Sequence, residues 1–195
     1  MEGLSCCSLH CKDNWCGICK NTVFVGSVNT DFGTIIAEPE KVIAYRKSID
    51  AEAIKISADI QVKHATMLKP MPIRELAKEA EQKGADAIIV TGKWTGNAPE
   101  PSKLKEAKES VSIPVLIGSG LDSNNCIELL KYADGAIVST SLKEGTEVLG
   151  ERNVKPYSYR ISREKVFELM SIIKKHTARH KVCQIALMKA SNHPR

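Results

Sequence analysis

The sequence predicts an α/β protein built on a parallel sheet, and three observations carry that reading. Apolar runs alternate with segments of helical periodicity from about residue 39 onward. Residues 85–90, apart from Asp86, and residues 113–118 are apolar runs, as in strands covered on both faces. Each run then ends in glycine or polar residues, at the strand ends where such sheets place their ligands. This rhythm fits either a doubly wound sheet or part of a β/α barrel.

The elements follow in order. Residues 39–49, PEKVIAYRKSI, put Val42, Ile43, Arg46 and Ile49 at helical spacing, with Pro39 suited to a first turn. Residues 53–62, AIKISADIQV, read as a strand. Residues 72–84 repeat the helical spacing through Ile73, Leu76, Ala77 and Ala80 and stop at Gly84. A strand at 85–90, a helix at 102–110 with Leu104 and Ala107 inward, and a strand at 113–118 come next. Asp122 caps a helix carrying Cys126, Ile127, Leu129 and Leu130. Residues 135–140 form a further strand, and Ser162 opens a last amphipathic helix with Val166, Leu169, Met170 and Ile173.

Composition bounds the function. With 195 residues, 43% hydrophobic and 26% charged, the chain has ordinary globular makeup for one domain. Aromatic residues make up 5%, too few for a base-stacking platform, so no nucleic-acid partner is expected. The net charge of +5 is local: residues 171–195 hold six Lys/Arg and no acidic residue, and the remainder has 22 basic and 23 acidic residues. No run approaches the ~18 apolar residues that suggest a membrane span, so no transmembrane segment is expected. The N-terminal stretch has neither a signal-peptide core nor the Arg-rich character of a transit peptide, which points to a cytoplasmic protein.

Five cysteines crowd the first nineteen residues: Cys6, Cys7, Cys11, Cys16 and Cys19, with His10 among them. Cys16 and Cys19 form a CxxC pair, but a zinc knuckle needs a second spaced pair and none follows. His176, His180 and Cys183 have a helical i, i+4, i+7 spacing without further ligands. No metal is assigned, and nothing in the sequence names a cofactor.

The chemistry gathers at the strand ends. Gly118 and Gly120 allow a sharp turn that presents backbone N–H groups, with Ser119 between them. A helix starting near Asp122 would add the positive end of its dipole. Ser139, Thr140 and Ser141 add hydroxyls one unit later, and paired loops of this kind form phosphate sites in β/α barrels. The dinucleotide GxGxxG and the GxxxxGK[ST] loop are both absent. The stretch ADIQVKHA offers Asp59, Lys63 and His64: Asp59 as proton acceptor or metal ligand, Lys63 as anion ligand or Schiff-base amine, His64 as acid or base. Thr91, Gly92 and Lys93 end the middle strand and complete the candidate pocket.

The segments from TDFGTIIAEPEKVIAYRKSIDAEAIKISADIQVKHATML through DAIIVTGKWTG to PVLIGSGLDSNNCIELLKYADGAIVSTSLKEG resemble the BtpA/SgcQ family. That resemblance covers about residues 29–170 and implies a TIM (β/α)8 barrel of the phosphate-binding type. The family includes a cyanobacterial factor associated with photosystem I stability and bacterial proteins encoded beside sugar-metabolism genes. It further implies that this chain is an incomplete barrel: the end of strand 4 near VFVGSVN, then strands 5 to 8 with their helices, as in a truncated isoform. The expected layout is a Cys-rich irregular segment at 1–25, the partial barrel at 26–173 and a basic tail at 174–195. A phosphorylated small molecule is the expected ligand, and a second copy is the expected cover for the open barrel edges. An assembly or stability factor without catalysis is the alternative.

Overall fold

The parallel sheet is assembled strictly in chain order, which separates the two architectures the sequence left open. A computed structural model describes residues 17–63, 65–93, 96–144 and 160–177. Five strands, β1 (Ile18–Asn21), β4 (Lys55–Asp59), β6 (Ala87–Thr91), β7 (Val115–Gly118) and β8 (Gly135–Ile137), pair in that sequence and all run parallel. A doubly wound sheet reverses its strand order at a switch point. This sheet never reverses, so it is a curled half-barrel.

Helices α1 (Pro39–Ser48), α2 (Ile73–Gln82), α3 (Pro101–Ser110), α4 (Cys126–Leu129) and α5 (Arg163–Thr177) supply the connections and the outer layer. The apolar periodicity of α2 buries Ile73, Leu76, Ala77 and Ala80, and α3 buries Leu104 and Ala107. They meet the row Ile56, Ala58, Ile88, Val90, Val115, Ile117 and Ala136 in one core. Register explains the division of faces. Partners across parallel strands share a face, and successive residues alternate between faces. Ala58, Ile88 and Val115 therefore point to the helices. Asp59 and its partner Ile89, and Thr91 with its partner Gly118, point to the concave side.

The end of the sheet opposite the site carries a repeated device. Asp86, just before β6, accepts the N–H of Ile56 at 2.9 Å and donates its own N–H to the Ile56 carbonyl. Asp134, just before β8, does the same with Val115 at 2.8 Å. Arg46 and Lys55 pair with Asp86, and Lys108 pairs with Asp134. Each aspartate pins the start of one strand to the next, which fixes the register.

Several boundaries differ from the sequence reading. The first parallel strand is Ile18–Asn21, inside the segment read as irregular, and VFVGSVN is a loop placing Phe24 and Val25 in the core, whose last two residues open β2 (Val28–Thr30). β2 pairs antiparallel with β3 (Gly33–Ile35) and β5 (Ala65–Met67) in a small second sheet. The strand expected over 53–62 ends at Asp59, where the Gln61 N–H turns back to Asp59 Oδ1 at 3.4 Å. The helix expected from Asp122 begins only at Cys126 and is a single turn. Asp122 instead caps the loop itself, accepting the N–H groups of Asn124 and Asn125.

No helix among the described residues is long and apolar enough to cross a membrane. Cys6, Cys7, Cys11, Cys16, His10, His180 and Cys183 lie outside the described residues, as does nearly all of the basic tail.

Candidate functional site

The C-terminal ends of β1, β4, β6, β7 and β8 share one edge, and two cavities open there. The smaller, of about 100 Å³, is lined by Lys20, Lys63, Gly118, Ser119, Gly120, Ile137, Ser139, Thr140 and Ser141, with Leu121 and Val138. That volume is the share of roughly three waters, the size of a phosphate group and little more. The larger, of about 770 Å³, runs under the small sheet and is lined by Gln61, Thr91, Gly92, Lys93, Asn97 and Lys103 among others.

Glycine is required where the chain is most crowded. A Cβ on Gly118 would lie 2.4 Å from Ile89 Cγ2 and 2.7 Å from Thr91 Cγ2. Gly120 has φ +69°, and a Cβ there would lie 2.0 Å from the Ala98 nitrogen. Gly92 is pressed just as hard, 2.3 Å from the Asn97 oxygen. The segment 97–98 thus crosses directly over both turns and forms the partition between the two cavities. Ser119, between the two glycines, is itself at φ +92°, a conformation that costs a non-glycine residue on the order of 1–3 kcal/mol and persists only where its surroundings enforce it.

Two lysines reach the smaller cavity, Lys20 from β1 and Lys63 from the turn that follows β4. Lys63 Nζ donates to Ser119 Oγ. Lys20 Nζ lies 3.0 Å from Asp59 Oδ2 on the neighbouring strand. Asp59 is 2% exposed. Burial pushes its carboxyl above the usual aspartate value, and Lys20 pulls against that rise. Burial also holds the Lys63 ammonium below its ordinary value; the Lys20 charge adds to that effect, and Asp59 opposes it.

The structure divides the sequence-selected residues into groups. Lys63, Gly118, Ser119, Gly120, Ser139, Thr140 and Ser141 surround the small cavity. Thr91, Gly92 and Lys93 line the larger one instead. Thr91 Oγ1 donates to the Gln61 carbonyl at 2.6 Å, and Ser141 Oγ donates to the Leu121 carbonyl at 2.6 Å. Both hydroxyls thus brace loops. Asp59 lines neither cavity and acts on the small one through Lys20. His64 lies outside the described residues. With α4 reduced to one turn beginning at Cys126, no helix dipole is aimed at the cavity from Asp122.

Sequence reasoning missed Lys20. It sits in ICKN, amid cysteines, with no apolar run to mark a strand. The available signal was the β/α rhythm itself, which places one more strand ahead of α1.

A half-barrel with its ligand-sized cavities at the C-terminal strand ends defines the class: a β/α-barrel protein. The chain matches the BtpA family over residues 17–174 and belongs to that family. It is 39% identical to an uncharacterised protein of Archaeoglobus fulgidus over 132 residues, covering 68% of this chain and 52% of that one. It is 35% identical to the Photosystem I biogenesis protein BtpA of Synechocystis over 123 residues, covering 62% and 42%. The chain spans about half the length of the curated relatives it matches. Among solved structures it resembles an IMP dehydrogenase/GMP reductase-like protein from Corynebacterium glutamicum (TM-score 0.50, 16% identity, 80% of this chain and 39% of that one). It also resembles a Toxoplasma gondii protein described as a deoxyribose-phosphate aldolase (TM-score 0.50, 14% identity, 80% and 64%). At such identities the likeness is one of fold.

Proposed function

We propose that this chain binds a small phosphorylated metabolite, a sugar phosphate or a nucleotide-like compound, with the phosphate in the Lys20/Lys63 cavity. One observation carries the reading: two lysine side chains and two strand-end loops converge on a space of about 100 Å³. Charge-assisted hydrogen bonds from lysine to phosphate are roughly twice as strong as neutral ones. Gly118 and Gly120 bring backbone close without a side chain in the way. The space accommodates a phosphate-sized group, and the rest of the ligand would extend outward from it.

The test is a thermal melt of the chain with and without millimolar inorganic phosphate or a sugar phosphate. A ligand that binds only the folded state stabilises it by about 2.7 kcal/mol at a concentration of 100 Kd. The expected result is a Tm that rises with phosphate in the wild type and much less in Lys63→Ala. A folded wild type that phosphate leaves unmoved removes the reading.

The name of the Synechocystis relative favours a second role, as an assembly factor that uses the same fold as a binding surface. Under that reading, capture of a protein partner is the same for the wild type and for an Asp59→Asn/Lys63→Ala double variant.

A further inference from the structure

We propose that Lys63 is a carbonyl-reactive amine and that the ligand is a phosphorylated aldehyde or ketone, held by its phosphate on Lys20 and the loops at Gly118–Gly120 and Ser139–Ser141 while the neutral Lys63 Nζ attacks the carbonyl carbon. The inference rests on the phosphate reading and names the substrate class for it.

The geometry distinguishes the two lysines. Lys20 is held in an ion pair at 3.0 Å by the carboxylate of Asp59, a residue almost wholly buried. Lys63 has a different environment: its hydrogen bond goes to the neutral hydroxyl of Ser119. A carboxylate contact would anchor its proton, and a hydroxyl does so far less. Lys63 is also half-buried at the wall of the same cavity as the Lys20 charge. The ionisable groups acting on it are Lys20 from β1 and Asp59 from β4. Desolvation and the Lys20 charge both favour the neutral amine, and Asp59, already engaged by Lys20, opposes them more weakly. A lysine desolvated beside a second cation is the arrangement that makes a nucleophilic amine at neutral pH. Asp59 is here a positioning residue, fixing the Lys20 ammonium.

The step balances without an external redox partner. The neutral Nζ lone pair forms a C–N bond and the carbonyl π pair moves to oxygen. Nitrogen loses one proton, and that oxygen departs as water after taking up two protons in all. The net change consumes one proton from solvent and leaves a protonated imine. The imine carbon is then electron-poor, so a proton or carbon substituent on the neighbouring carbon becomes labile.

The experiment uses the full chain with glyceraldehyde 3-phosphate as probe, glyceraldehyde as control and sodium cyanoborohydride as hydride donor, read by intact mass and peptide mapping. The expected result is one reduced adduct on the Lys63 peptide. It forms at least about tenfold faster than on any other lysine, because a docked phosphate holds the carbonyl at the amine. Inorganic phosphate suppresses it, and glyceraldehyde lacks the preference. The other lysines in the same digest serve as internal control, so the result does not depend on whether Lys63→Arg folds. A second reading comes from pH: adduct formation at Lys63 persists to lower pH than at exposed lysines. Adducts spread evenly over surface lysines, in a chain whose Tm still rises with phosphate, overturn the amine assignment and leave the phosphate site standing. Even labelling with no phosphate-induced rise in Tm overturns both.

Discussion

Lys20 Nζ and Asp59 Oδ2 lie 3.0 Å apart across adjacent parallel strands, with side-chain exposures of 33% and 3%. The pair is lopsided: the lysine can still reach water, and the carboxylate cannot. Removing either partner therefore has a different cost.

Lys20→Met leaves a buried carboxylate without its cation and costs about 2–4 kcal/mol at neutral pH; Asp59→Asn leaves a lysine that rehydrates and costs about 1–2 kcal/mol. The double variant loses less than the sum of the two. Urea denaturation of all four proteins measures the cycle. The Lys20→Met deficit is also pH-dependent. With its cation gone, the folded Asp59 pKa rises further, so the variant binds a proton more readily when folded. Its deficit is absent below the ordinary aspartate value of 3.8 and grows as pH rises through the raised folded value.

Asp86 behaves in the opposite sense. Burial raises its carboxyl, but the Ile56 N–H and the Lys55 and Arg46 cations outweigh burial and leave it below 3.8. The resulting stability is complete above the unfolded value and is lost as pH falls through the lower folded one. Asp86→Asn should cost about 1–2 kcal/mol at pH 7, and its acid limb should be flatter than that of the wild type. Chemical denaturation between pH 7 and pH 2 reads both effects.

Gly120→Ala combines a strained φ of +69° with a Cβ only 2.0 Å from backbone that cannot swing away. The expected loss is about 2–4 kcal/mol. If the variant folds, the segment at Asn97 and Ala98 must lift, and the phosphate-induced rise in Tm should shrink with it. Gly33→Ala is the control, because a Cβ there meets nothing within 4 Å even though its φ is also positive, at +121°. Gly33→Ala should lower Tm somewhat through backbone strain and leave the phosphate response intact.

Phosphate affinity should fall as pH rises earlier than two ordinary lysines would allow. Burial and the Lys20 charge hold the Lys63 ammonium below its ordinary value of 10.5, so its charge is lost at a lower pH than that of an ordinary lysine. The phosphate-induced shift in Tm, followed upward from pH 7, should decline through that lowered pKa. In Lys63→Met the shift should be small and flat over the same range.

What the sequence made legible was the half of the site that lies on loops following strong apolar strands. β6 and β7 are continuous aliphatic runs, so Gly118 and Gly120 could be placed at a strand end before any coordinate was known. Helix α2 was equally plain, since Ile73, Leu76, Ala77 and Ala80 are all buried as their spacing demands. The rest depended on features without a local signature. β1 is four residues long and includes a lysine and an asparagine. The small antiparallel sheet is built from three-residue strands of mixed polarity. The one-turn α4 forms where Asp122 and Asn125 take up the local N–H groups through their side chains, so four suitably spaced apolar residues did not make a longer helix. The partition between the cavities was invisible for another reason: it arises from the close approach of two loops, at Gly120 and Ala98, which no periodicity encodes.

The unreversed strand order has a kinetic meaning. Paired residues at the starts of successive ladders are 37, 30, 27 and 19 positions apart along the chain. Closing a loop costs only about 0.6 kcal/mol more for each doubling of its length, so the differences are small but ordered. The β7–β8 contact closes the shortest loop, and β1 the longest. Among the described residues β1 pairs with β4 alone, as the end of the row. Assembly should therefore zip toward β1, and opening should begin there, detaching Lys20 from Asp59 while the central strands hold. Native-state hydrogen exchange should show this order, with the amides of Cys19 and Asn21 exchanging well before those of Ile89 and Ile117. The strand that completes the cationic cavity would then be the most easily surrendered part of the sheet, and a bound anion, by bridging Lys20 to Lys63, would act as its fastener.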